Sequence, residues 1–174
     1  VFSQFSNEEN MLPLICNTSI VTCNTRRYHG LLAVPVAELG GGKYMLLSAL
    51  DESLVLGGKQ FNLGIHCYGD TYEPRGHKYI IDFDANPVPV VTYKVGGIIF
   101  TKTIMMVPDN DQVLIKYELQ TAPGKILLQL KPFLAFRSVH SLDFLMHPAG
   151  FHLLPGQEYN LCWELFWYED GKFY

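Results

Sequence analysis

In several stretches of this chain apolar and polar positions exchange every second residue, and no long window prefers a helical period. The cleanest stretch is 78–84, where Tyr79, Ile81 and Phe83 point one way and Lys78, Ile80, Asp82 and Asp84 the other. Residues 88–95 and 98–107 embrace Gly96-Gly97, which predicts a tight hairpin. Residues 53–56 and 60–63 flank Gly57-Gly58-Lys59 and predict another, with positive φ at its glycines. Further strands are predicted over 12–21, 28–36, 44–50, 113–121 and 126–136, and a last one holds Trp163, Glu164, Leu165 and Trp167 ahead of Asp170-Gly171. The 28–36 strand is apolar on both faces and so predicted to be central. Residues 1–10 read as a frayed polar end and 66–75 as an irregular loop. Short strands punctuated by glycine turns predict an all-β fold: a large antiparallel two-sheet β-sandwich, one domain over 1–174.

One stretch breaks the alternation. Asn24-Thr25-Arg26-Arg27-Tyr28-His29-Gly30 sets two cations, a phenol and an imidazole side by side, just before the apolar run Leu31-Leu32-Ala33-Val34. In an extended chain Arg27 and His29 would share one face and Arg26 and Tyr28 the other. Guanidinium donors, a hydroxyl and an imidazole suit sugar hydroxyls or a carboxylate. They equally suit a structural role, with arginines paired across a domain boundary, Tyr28 at the rim of the core and His29 capping a carbonyl. The residues alone leave both open. Gly30 is expected to need positive φ.

The segment Cys23-Asn24-Thr25-Arg26-Arg27-Tyr28-His29-Gly30-Leu31-Leu32-Ala33-Val34 resembles the signature of the N-terminal domain of bacterial and archaeal glycogen debranching enzymes, the amylo-alpha-1,6-glucosidases. Similar pieces follow in family order: Leu46-Leu47-Ser48 with Asp51-Glu52, then Pro74-Arg75-Gly76-His77-Lys78-Tyr79, then Thr92-Tyr93-Lys94-Val95-Gly96-Gly97. The last are Leu130-Lys131-Pro132-Phe133, Arg137 and His140-Ser141-Leu142. The likeness covers residues 16–142, while Asn17-Thr18-Ser19-Ile20-Val21 replaces the Gly-Gly-Tyr usual upstream. It implies a supersandwich-like β domain ahead of a C-terminal helical toroid that carries the catalytic acids. It also implies a parent that hydrolyses alpha-1,6-glucosidic branch links, with this domain packing on the catalytic domain and helping to bind alpha-glucan. Arg137 and His140 then look like companions of the first polar stretch. The candidate binding or interface residues are Arg26, Arg27, Tyr28, His29, Arg137, His140 and, for a sugar-stacking ring, Trp167; no catalytic residue is assigned.

Composition narrows the partners. A net charge of -4 argues against nucleic acid, and no apolar run is long enough for a membrane-spanning helix. Charged residues make up only 17%, so much of the surface is uncharged or covered by a partner. Cys16, Cys23, Cys67 and Cys162 show no CxxC spacing and read as buried, reduced thiols of a cytoplasmic protein, while their even number leaves a secreted, disulfide-bonded form open. The histidines lack the helical pairing of a zinc protease, so no metal and no cofactor is expected. The acid pairs Asp51-Glu52, Asp82 with Asp84, and Asp109 with Asp111 read as strand-end or turn residues rather than the two carboxyls of a glycosidase. A stand-alone glucan-binding module and a purely structural interaction domain remain as alternatives.

Overall fold

The computed structural model describes residues 2–5, 15–37, 40–107, 110–140, 168–169 and 172–173. The chain divides into two compact units, Val1–Asp143 and Phe144–Tyr174. The first unit holds β1 (Phe2–Phe5), β2 (Ile15–Thr18), β3 (Gly30–Val36), β4 (Gly42–Leu56), β5 (Lys59–Asn62) and β6 (His66–Tyr68). It continues with β7 (Thr71–Glu73), β8 (Ile80–Asp84), β9 (Val90–Val95), β10 (Ile98–Met106), β11 (Val113–Thr121) and β12 (Ile126–Ser138). The described part of the second unit is a short antiparallel pair, β13 (Tyr168–Glu169) and β14 (Lys172–Phe173). The predicted strand around Trp163 to Trp167 lies outside the described residues.

The fold is an all-β antiparallel sandwich, as the alternation predicts. One sheet runs β1-β2-β3-β4-β12 with β5 also on β4, and the other runs β11-β10-β9-β8. Leu31, Leu47 and Leu50 of the larger sheet meet Ile104 and Met106 of the smaller in one buried cluster. Leu54 and Leu63 meet Val91, Tyr93, Ile98 and Phe100 in a second. Ala33, Met45 and Val139 form a third, smaller cluster. β3 is central, between β2 and β4, and its near-continuous burial follows from apolar contacts on both faces. Both glycine hairpins form as expected, with φ of 56° and 78° at Gly57 and Gly58 and 59° and 80° at Gly96 and Gly97.

β4 departs most from expectation. Residues 44–50 and 53–56 are one strand of 15 residues, because β12 pairs with it from Tyr44 to Leu56 and no turn residue interrupts it. On its other flank β3 pairs from Gly42 to Leu47 and β5 from Ser53 to Leu56. The window between them would leave backbone groups unpaired. Two outside groups fill it: Asn24 Nδ2 donates to the Ser48 carbonyl at 2.6 Å, and the Leu63 N–H donates to the Glu52 carbonyl at 2.9 Å. Two loops thus enter the sheet at one place.

Other differences have local causes. Residues 66–75 are not irregular: β6 and β7 form a hairpin around Gly69, whose φ is 62°. Residues 2–5 are not frayed but pair with β2. The 78–84 stretch starts as a 3-10 turn, Gly76–Tyr79, and its register shifts between Ile80 and Asp82, so Ile81 is exposed while Ile80 packs inward. Cys16 and Cys23 are buried free thiols, but Cys67, on an outer hairpin, is exposed. Burial pushes the Cys16 thiol up to about 11, against the pull of the Lys102 charge.

Gly30 is required for a different reason from the one the sequence suggests. Its φ is not in the left-handed region; a Cβ there would instead run into Sδ and Cε of Met45. Met45 is fully buried and has little room to yield. Gly30→Ala should therefore cost about 1–3 kcal/mol by overpacking. In a Met45→Ala background the same change should cost far less, and equal losses in both backgrounds, read by urea unfolding, would show that Met45 is not the obstacle.

Candidate functional site

The polar stretch is not extended. Residues 24–29 make a turn closed by the His29 N–H donating to the Arg26 carbonyl at 3.0 Å, and β3 begins only at Gly30. The expected alternation of faces is therefore absent: Arg26, Arg27 and Tyr28 are exposed together, and His29 alone is buried. The loop ahead of it is built tightly. Ser19 Oγ donates to the Cys23 carbonyl and accepts from the Cys23 N–H, at 3.0 and 2.9 Å. Thr22 sits at a φ of 57°, an uncommon place for a β-branched residue, held by its N–H bond to the Ser19 carbonyl.

His29 acts as an internal brace. Its Nδ1 accepts the Thr25 N–H at 3.1 Å, which leaves the proton of the neutral ring on Nε2. Nε2 is buried without a hydrogen bond of ordinary geometry, although the Cys23 carbonyl interacts with the ring. Burial lowers the His29 pKa, the Cys23 carbonyl opposes that, and the Arg26 charge adds to it. A neutral, sealed imidazole does not contact a ligand, so His29 leaves the set of surface candidates.

The second predicted element comes to the first. Arg137 Nη2 donates to the Arg27 carbonyl at 3.1 Å. The Tyr28 hydroxyl and His140 Nδ1 share a hydrogen bond at 3.1 Å, with the rings edge to face and centroids 5.7 Å apart. Between them the Val139 N–H donates to the Lys43 carbonyl at 3.0 Å and buries its side chain, which aims His140 outward. Arg26, Arg27, Tyr28, Arg137 and His140 thus share one edge. Trp167 lies outside the described residues.

The acid pairs find structural work. Asp51 and Glu52 lie mid-strand, not at a strand end, and face opposite ways. Both Asp51 oxygens lie within 2.9 Å of His66 Nε2, on the side of β6. Glu52 points into the core, with Lys102 Nζ at 2.6 Å and the Tyr117 hydroxyl donating at 2.7 Å. Burial first, then the Glu52 charge, drives the Tyr117 pKa far up, and the same two causes raise that of Tyr93. Asp84 accepts the Asn86 N–H at 2.9 Å, a turn bond, while Asp82 and Asp111 are exposed. Asp109 lies outside the described residues. Among the described residues no group of three or more His, Cys, Asp or Glu side chains is placed to hold a metal ion, and no helix is long and apolar enough to cross a membrane.

A two-sheet antiparallel sandwich that builds a cationic and aromatic edge from segments over a hundred residues apart defines the class: an all-β domain presenting a loop-made surface. A protein-family model described as "Glycogen debranching enzyme N terminal" matches residues 15–156. The chain belongs to that family. No curated protein and no solved structure matches it.

Proposed function

We propose that this domain is the non-catalytic N-terminal part of a glycogen-debranching-type glycoside hydrolase. It packs on a helical catalytic domain and helps hold an alpha-glucan, while the parent enzyme cleaves alpha-1,6 branch links. The observation that carries the reading is the convergence of Arg27 and Tyr28 with Arg137 and His140 on one exposed edge. Among the described residues the strand that delivers Arg137, β12, lies at the edge of its sheet with Leu127 and Leu134 exposed, apolar area suited to a neighbouring domain. Free thiols at Cys16, Cys23 and Cys67 fit a reducing compartment such as the cytoplasm.

Arg27 gives the test. Its carbonyl, not its side chain, receives Arg137, so the fold keeps that bond when the guanidinium is removed. In an enzyme carrying this domain, Arg27→Ala should lower debranching activity about tenfold, the worth of one charged hydrogen bond. The melting temperature should not move. A lower melting temperature with normal specific activity would make Arg27 structural and defeat the reading.

A further inference from the structure

We propose that the cavity between the β6–β7 hairpin and the Arg75–His77 segment is a saccharide subsite that takes a stretch of alpha-glucan, apart from the Tyr28–His140 edge. The inference rests on the reading that the domain holds alpha-glucan and adds where it does so. The cavity measures about 540 Å³, inside the range of about 300–1,000 Å³ usual for small-molecule sites. It opens where the two loops entering the β4 window meet: Val21 comes from the loop ahead of the polar turn, and Ile65 from the segment after β5. These two supply an apolar wall. Asp70, Tyr72, Arg75 and His77 surround it with one carboxylate, one phenol ring, one guanidinium and one imidazole.

Both sides of the cavity are fixed before any ligand arrives. The hairpin is tied down through His66, which is bonded to Asp51 and lies with its ring centroid 5.0 Å from that of Phe133. The opposite side is tied by Gly76, whose N–H donates to the Gly64 carbonyl at 3.0 Å, and by Tyr79, which packs edge to face on Phe61. Such preorganisation lowers the cost of binding.

The chemistry favours a neutral polyol over an anion. Arg75 Nε already lies 3.3 Å from Glu73 Oε1, and Asp70 adds a further negative charge, so phosphate or carboxylate would meet no net positive field. A pyranose presents apolar C–H faces to a ring and to aliphatic walls, and hydroxyls to a carboxylate, a guanidinium and an imidazole. Tyr72, 45% exposed, offers the ring.

Calorimetric titration of the 174-residue chain with maltoheptaose tests this. Tyr72→Ala and His77→Ala should each weaken binding about tenfold, while Tyr72→Phe, which keeps the ring, should stay within about twofold. Circular dichroism melts should be unchanged, since both side chains are exposed. If the parent chain binds but all three variants bind equally well, or if only Tyr28→Ala loses affinity, the subsite is wrong while the glucan-holding reading stands. If the unsubstituted chain fails to bind maltoheptaose at millimolar concentration, both fall.

Discussion

Glu52→Ala is expected to cost about 3–5 kcal/mol of folding stability, the loss typical of stripping one partner from a buried ion pair. Lys102 is fully buried, and Glu52 is the acidic side chain beside its ammonium. Without that carboxylate the ammonium is left as an unpaired charge in the buried interior. The Tyr117 hydroxyl would lose its acceptor as well. Set against a total of about 5–15 kcal/mol for a typical domain, the variant should be marginal at 37 °C. The pair Glu52→Leu with Lys102→Met should recover much of the loss, because removing both charges leaves no buried charge unpaired and only the Tyr117 hydroxyl without its acceptor. Urea unfolding of the two variants decides the matter. A loss under about 1 kcal/mol for Glu52→Ala would mean that water reaches Lys102 after all.

Gly76→Ala should be the second most damaging change. A Cβ at Gly76 would overlap the carbonyl carbon and oxygen of Leu63 and crowd the Gly64 oxygen. These are backbone atoms, and no rotamer change moves them aside. The N–H bond from Gly76 to Gly64 would have to open, releasing the turn that carries Arg75 and His77. A loss of about 3 kcal/mol, the upper end of ordinary overpacking, is expected. Gly124→Ala is the control, since the nearest atom to its added Cβ is Leu56 Cδ1 at 3.9 Å. Similar melting temperatures for the two variants would show that the contact at Leu63 relaxes freely.

What the sequence revealed followed from period and turn chemistry. Alternation and paired glycines announced the hairpins at Gly57-Gly58 and Gly96-Gly97, and two-faced apolarity announced the central place of β3. The polar turn was visible as a break in the pattern, but its shape was not. A local hydrogen bond from His29 to Arg26 overrode the extended reading, and such bonds depend on φ and ψ rather than on residue type. The Tyr28–His140 bond spans the chain, and only folding could pair those residues.

The core ion pair left a trace that the candidate acids obscured. In β10 the inward positions are Ile98, Phe100, Lys102, Ile104 and Met106. A lysine in that row demands a carboxylate from the facing sheet, and Glu52 stands between the inward Leu50 and Leu54 on β4. Tyr117 follows Val113 and Ile115 in the same way on β11. Reading inward rows across both sheets, rather than scanning for acids in pairs, finds the triad. The cavity beside Tyr72 had no comparable signal, because its walls come from loops whose meeting depends on the window in β4.

That window follows from the length of β4. One uninterrupted strand supplies Leu47 and Leu50 to one buried cluster and Leu54 to the other. Both buried clusters are therefore tied to one strand. Whatever grips the loops lodged at Ser48 and Glu52 pulls on the spine of the whole domain, so a partner seated there would be felt at both ends at once.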